Sequence, residues 1–348
     1  MAVLAKMRWA PPLPRPLPPT AAAGLALGMA SLGRVWDAVL SLHGWLPAGV
    51  IAPLMALLAS WPLLAVIAKF VRNPHLWWQE LAEPLAGSVI PTAAMATMTI
   101  SAVLAPFAGA VAATLWWLAV AVHLLSLAGF VWRQSSGFAL QRLLPSWFVP
   151  PVGIVVAVIS APPAASPALL TALWLFGVGC YAVLLPLTLL RLVVAEPLPP
   201  AARPALAILA APASLCLCGY LALPSAPLPW VVLVLGTIAI LMTTVIDLAL
   251  LWLLRMPFMP SFAALTFPLV ISANALLALG RYGHQWPGAQ GGAQLLTLLG
   301  YVQLALASTV VARVAHAFWQ ARRQALRAPA VADSTCGVQS ANVSASAG

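Results

Sequence analysis

Four prolines recur at a nearly fixed interval inside uncharged apolar stretches. Pro91, Pro151, Pro212 and Pro268 stand 60, 61 and 56 residues apart, in SVIPTAAM, WFVPPVGIVV, ILAAPASL and ALTFPLVI. A proline inside a helix removes a backbone donor and clashes with the preceding turn. Four at one period imply one bent helix used repeatedly, and a unit of about 60 residues accommodates two membrane-spanning helices with short connections. A ring of such units would enclose a passage.

Charge is too scarce for a water-soluble surface. Of 348 residues, 63% are apolar and 6% charged, against about 25% charged in soluble domains. Apolar runs of about 20 residues without strict alternation indicate an all-α integral membrane protein rather than a barrel. Cys180, Cys216, Cys218 and Cys336 show no zinc spacing, and His43, His75, His123, His284 and His316 form no metal motif. No metal and no cofactor are expected. With six acidic residues, a catalytic cleft of converging ionisable groups is not expected either.

Ten spans are expected, near 20–42, 47–70, 87–107, 110–132, 148–163, 168–194, 204–222, 228–254, 261–281 and 293–320. The fifth is short enough to be an interrupted helix. This partition puts a Pro-rich segment over 1–19, the membrane domain over 20–325 and a disordered tail over 326–348, where large apolar residues run out. The first apolar segment is full-length, longer than the apolar core of a signal peptide, and is expected to be retained. Thirteen basic residues, among them Lys69, Arg72, Arg133, Arg142, Arg191, Arg203 and Arg255, then share one side with both termini. Only Arg281 faces the other side. That bias predicts a multi-pass protein of the bacterial cytoplasmic membrane with both termini cytoplasmic. The net charge of +10 thereby reads as a topology signal rather than a nucleic-acid footprint, with some attraction for anions at the inner mouth.

Odd and even spans differ in composition. Odd ones carry the recurrent prolines and small or hydroxylated residues, whereas even ones are bulky. Lipid faces favour bulk, while close helix contacts and wet interiors tolerate small and polar groups. Five hairpins follow, odd helices inside and even helices outside. The pore-lining candidates are Gly24, Gly28, Ser88, Thr92, Thr266 and Asn274. The carbonyls four residues before the prolines, on Gly87, Trp147, Ile208 and Ala264, need partners that lumen water, hydroxyls or neighbouring helices can supply.

The segments GLALGMASLGRVW, SWFVPPVGIVV, LPPAARPALAILAAPASL and FAALTFPLVISANAL resemble the tellurite-resistance/dicarboxylate transporter family. Its members include bacterial TehA proteins, plant slow-type anion channels, malate permeases and sulfite pumps. The resemblance covers roughly residues 17–325. It implies ten helices in five hairpins, a quasi-five-fold arrangement around a central pore, and a homotrimer. It also implies a pore occluded by a phenylalanine on the ninth helix, which the TFP motif puts at Phe267. Phe262 is the nearest competitor.

Three charges fall within spans. Arg34 and Asp37 are expected to pair at i, i+3 near an interface. Asp247 and Arg313 either pair across the outer ring or Arg313 reaches an interface; Asp247 is also a candidate for proton coupling. No dicarboxylate clamp of inward arginines on odd helices is evident. The expected function is an anion channel or transporter that passes small inorganic or organic anions across the lipid bilayer. The alternative is a proton-coupled carrier of dicarboxylate, tellurite or sulfite.

Overall fold

The computed structural model describes residues 17–136 and 139–327. Most of the Pro-rich leader and nearly all of the expected tail lie outside the described residues. Within them the chain is 82% helix with no strand. The apolar helices in chain order are α1 (Ala22–Leu42), α2 (Ile51–Arg72), α3 (Pro84–Leu104), α4 (Gly109–Ser135), the shorter α5 (Pro145–Ile159), α6 (Pro167–Val194), α7 (Pro200–Ala222), α8 (Pro229–Leu253), α9 (Pro260–Gly283) and α10 (Gln290–Arg327). Nine of the described helices are long and apolar enough to cross a membrane. The fifth is too short, and it is cut into α and 3₁₀ turns around Pro150, Pro151 and Gly153.

The even helices are regular. α6 begins with Pro167 in its first turn, and the Ser166 hydroxyl accepts the Leu169 N–H at 3.2 Å; proline lacks the N–H that would otherwise be orphaned there. α2 and α6 also contain Pro62 and Pro186 and remain unbroken. A proline alone therefore does not interrupt a helix here.

Among the odd helices α1 is continuous, and the other four are built differently. α7 opens as a 3₁₀ stretch over Pro200–Ala210 and becomes α-helical at Ala211; α9 does the same from Pro260–Leu265 into Thr266–Gly283. α3 breaks between Val89 and Thr92. Pro91 caps the second half of α3, Pro151 lies in the four-residue turn Val149–Val152, and Pro212 and Pro268 sit in the first turn of the α-helical parts of α7 and α9. First-turn positions need no N–H partner. The prolines thus mark where a helix restarts, rather than bending an intact one.

This corrects the expected fate of two carbonyls. Gly87 O accepts the Ile90 N–H at 3.3 Å, and Ile208 O accepts the Ala211 N–H. Tight local turns close these groups, so lumen water is not required for them.

Burial separates the two classes. The share of each span buried is 50% in α1, 67% in α3 and 83% in α7 and α9, against 28–39% in α2, α4, α6, α8 and α10. None of the large exposed apolar side chains falls within α3, α5, α7 or α9. They crowd the even helices instead, as at Leu57, Trp61, Leu125, Val183, Leu233 and Leu251. Apolar side chains exposed in such numbers suit a hydrocarbon surround. Consecutive helices pack as pairs: α1 on α2, α3 on α4, α5 on α6, α7 on α8, α9 on α10. Odd helices also contact one another in the order α1, α3, α5, α7, α9 and back to α1.

Candidate functional site

Two cavities lie among the odd helices. The first, of about 460 Å³, is lined by the N-terminal part of every odd member: Gly24 and Leu27 from α1, Thr92 from α3, Phe148 from α5, Leu215 from α7, Phe267 from α9. The second, of about 300 Å³, takes the C-terminal parts: Ser31 and Arg34 from α1, Ile159 from α5, Cys218 and Leu221 from α7, Asn274 and Arg281 from α9. Lining passes from the first cavity to the second between Leu27 and Ser31, Leu215 and Cys218, and Pro268 and Val270. At 1.5 Å rise per residue these gaps are about 3–6 Å on α1, α7 and α9, and about 9 Å on α5 between Gly153 and Ile159. Phe267 lines the first cavity next to this separating layer and is 7% exposed. Phe262 lines neither cavity and packs against Phe258, ring centroids 5.8 Å apart.

The polar candidates separate into two groups. Gly24 and Thr92 line the first cavity, with Pro212 and Pro268; Asn274 lines the second. Gly28, Ser88, Thr266, Pro91 and Pro151 line neither. A Cβ on Gly28 would meet the Thr266 Cβ at 2.5 Å, so this glycine is a contact point between α1 and α9. Thr266 Oγ1 is 2.7 Å from Ala263 O and 3.1 Å from Gly24 O, donating across that seam. Ser88 is fully buried and donates to Ser146 Oγ at 2.7 Å, joining α3 to α5. Hydroxyls placed at broken helices find carbonyls before they find a lumen.

Two buried carbonyls of α5 receive side-chain hydrogen bonds from α4. The His123 ring hydrogen-bonds Pro150 O at 2.8 Å, and Trp116 Nε1 donates to Ala157 O at 3.2 Å. Both donors are on α4 and both acceptors on α5. Tertiary donors of this kind let a segmented helix persist in lipid.

The intramembrane charges depart from expectation. Arg34 and Asp37 do not pair. Asp37 accepts the N–H groups of Gly49, Val50, Ile51 and Ala52 at 2.8–3.3 Å, capping the start of α2 from α1. Arg34 turns the other way and donates to Ile159 O at 3.1 Å, the last carbonyls of α5 having no helical partner. Asp247 accepts from Gln303 Nε2 at 3.0 Å, while Arg313 donates to Leu254 O at 2.9 Å. The two therefore do not pair with each other, and Asp247 lines neither cavity.

The first cavity is not basic at its rim. Its charged lining is Lys69, Glu80 and Glu83. Lys69 is buried, pairs with Glu80 and donates to Thr20 Oγ1 at 2.8 Å; Thr20 also bonds Glu80. The sequence bias toward basic residues on this side does not extend to the cavity wall. The second cavity carries two guanidinium groups and no carboxylate. Arg34 and Arg281 are arginines on odd helices that line one cavity, Arg281 with an exposed side chain; the sequence reading found no such pair. Nothing in the local sequence flags them, because one starts near an acid that proves otherwise engaged and the other looks like a loop charge.

The family model described as voltage-dependent anion channel (SLAC1) matches residues 19–318. No curated protein matches the chain.

Proposed function

The chain belongs to the voltage-dependent anion channel family, and on that premise we propose that its odd helices form the wall of an anion pathway closed at Phe267. The observation that carries the reading is the pair of cavities, one above and one below a layer about 3–9 Å thick. The contact cycle of the five odd helices supports a quasi-five-fold ring of hairpins. Segmented α5, packed on α6, completes that ring as its remaining inner member. The channel is read as a passive conductor in the bacterial inner membrane, with both termini cytoplasmic and without enzymatic activity; homotrimeric assembly is taken from the resemblance alone.

Chemistry follows from the lining. Leu27, Met95, Phe148, Val152, Leu215 and Phe267 offer no replacement for a hydration shell. An anion that sheds water easily crosses such a layer faster than a strongly hydrated one. The N-terminal ends of the odd helices surround the first cavity, and a helix start carries up to about half a positive charge. This gives anions, not cations, the advantage there despite Glu80 and Glu83. In this reading the Phe267 ring, on the first-cavity side of the narrow layer, sets the barrier.

Chloride and nitrate flux into liposomes tests this. The wild-type protein passes both anions slowly, nitrate faster, and Phe267→Ala raises the flux. A barrier lowered by about 1.4 kcal/mol gives about tenfold more flux. Absence of anion flux in both proteins, or equal flux in a folded variant, removes the reading.

A further inference from the structure

The second cavity has features that conduction through an apolar layer does not need. It lies at the C-terminal ends of α1, α5, α7 and α9, with Ala38, Ile159, Ala222 and Arg281 on its wall. Helix C-termini present unpaired carbonyls and carry up to about half a negative charge each. Left as bare backbone, this end would repel anions. Arg34 and Arg281 are placed against that repulsion. Arg34 takes up the Ile159 carbonyl directly at 3.1 Å. Arg281 makes no hydrogen bond or ion pair to the described residues, and its charged group remains for a ligand. Asn274 adds an amide, which contacts Cys218 Sγ at 3.4 Å.

Among the described residues no carboxylate lines this cavity. Of the six acidic residues, Asp37 is the one nearest Arg34 in sequence, and four backbone N–H groups of the α1–α2 connection occupy it. The contrast with the first cavity is direct: one ammonium already paired there, with two carboxylates; two guanidiniums here, with none. A guanidinium offers a planar fork of donors that fits two oxygens of one anion, whereas a halide engages it as a point. A volume of about 300 Å³ accommodates nitrate, sulfate or a short carboxylate.

We infer that the second cavity is an anion-loading site selective for small oxyanions, carboxylates included, held by Arg34 and Arg281 with Asn274 beside them. The inference deepens the anion-pathway reading and rests on it. Ions concentrate on this side of the Phe267 layer, so flux from the second-cavity face saturates at lower anion concentration than flux from the first.

Equilibrium dialysis of the detergent-purified protein against radiolabelled sulfate at low ionic strength tests the site, in parallel with liposome flux. Arg281 is exposed, so Arg281→Gln spares the packing, and monodispersity on size exclusion confirms the fold. The wild type binds sulfate, nitrate displaces it better than chloride, and Arg281→Gln weakens binding by about tenfold or more. Arg34→Gln together with Arg281→Gln abolishes it. Arg281→Lys keeps part of the affinity and loses the preference of nitrate over chloride. Flux without sulfate binding, or binding unchanged in the double variant, overturns the site and leaves the pathway standing. Arginine-dependent binding without any anion flux retains the site and sinks the pathway.

Discussion

Asp37 shows how a single side chain links two helices of this protein. Its carboxylate gathers the free N–H groups at the start of α2, which has no cap of its own in sequence. A side-chain oxygen at a helix start contributes about 1–2 kcal/mol. Asp37→Ala should therefore lower the thermal midpoint of the detergent-solubilised protein; Asp37→Asn, which keeps one acceptor, should recover part of the loss. The same residue explains a limit of sequence reading. Arg34 and Asp37 are three apart, and helical spacing puts them on one face, which suggests a pair. The structure separates them because each meets backbone groups that local spacing cannot reveal. Arg34 and Arg281 meet at one cavity from opposite ends of the chain, and no pattern in either segment announces it. The TFP motif points to Phe267 beside Pro268; the structure puts Pro268 at the restart of a helix and both residues on the wall of the first cavity.

At the scale of elements, small residues decide how closely broken helices approach. Val155 of α5 sits between α6 and α7. A Cβ on Gly177 would come within 2.3 Å of Val155 Cγ2, and one on Gly219 within 2.5 Å of Val155 Cγ1. Gly219→Ala should destabilise the fold by about 1–3 kcal/mol through overpacking, read as a lower thermal midpoint. Adding Val155→Ala to that variant should return part of the loss, because the two sites share one contact. Independent, additive effects would mean that Val155 does not seat α5. The alternation of helices was largely legible for a comparable reason: bulky side chains on even segments and small ones on odd segments reflect two surroundings, lipid and protein. The internal form of the odd helices was not. Pro62 and Pro186 lie in continuous helices, while Pro91, Pro151, Pro212 and Pro268 stand at restarts. A proline reports a missing donor, and whether the chain bends, restarts or continues depends on neighbours from other helices. For α5 those neighbours are His123 and Trp116.

On the scale of the whole molecule, the helices pack in consecutive pairs whose even members carry most of the exposed apolar side chains, and two cavities lie among the odd ones. The charge pattern divides accordingly, with a paired lysine and two glutamates at one cavity and two arginines at the other. Membrane insertion, helix pairing and the family were readable from hydropathy, period and motif. The division of the interior was not, because it depends on which turns of distant helices end at the same depth. The central claim is that one path joins both cavities and that Phe267 closes it. A cysteine at Ala278, on the second-cavity wall, in a protein otherwise free of cysteine, tests it with a membrane-impermeant sulfonated thiol reagent applied to one face at a time. With Phe267 intact, reaction occurs from the second-cavity face alone; with Phe267→Ala, it occurs from both faces. Labelling from both faces with the phenylalanine in place, or from one face regardless of it, contradicts the account.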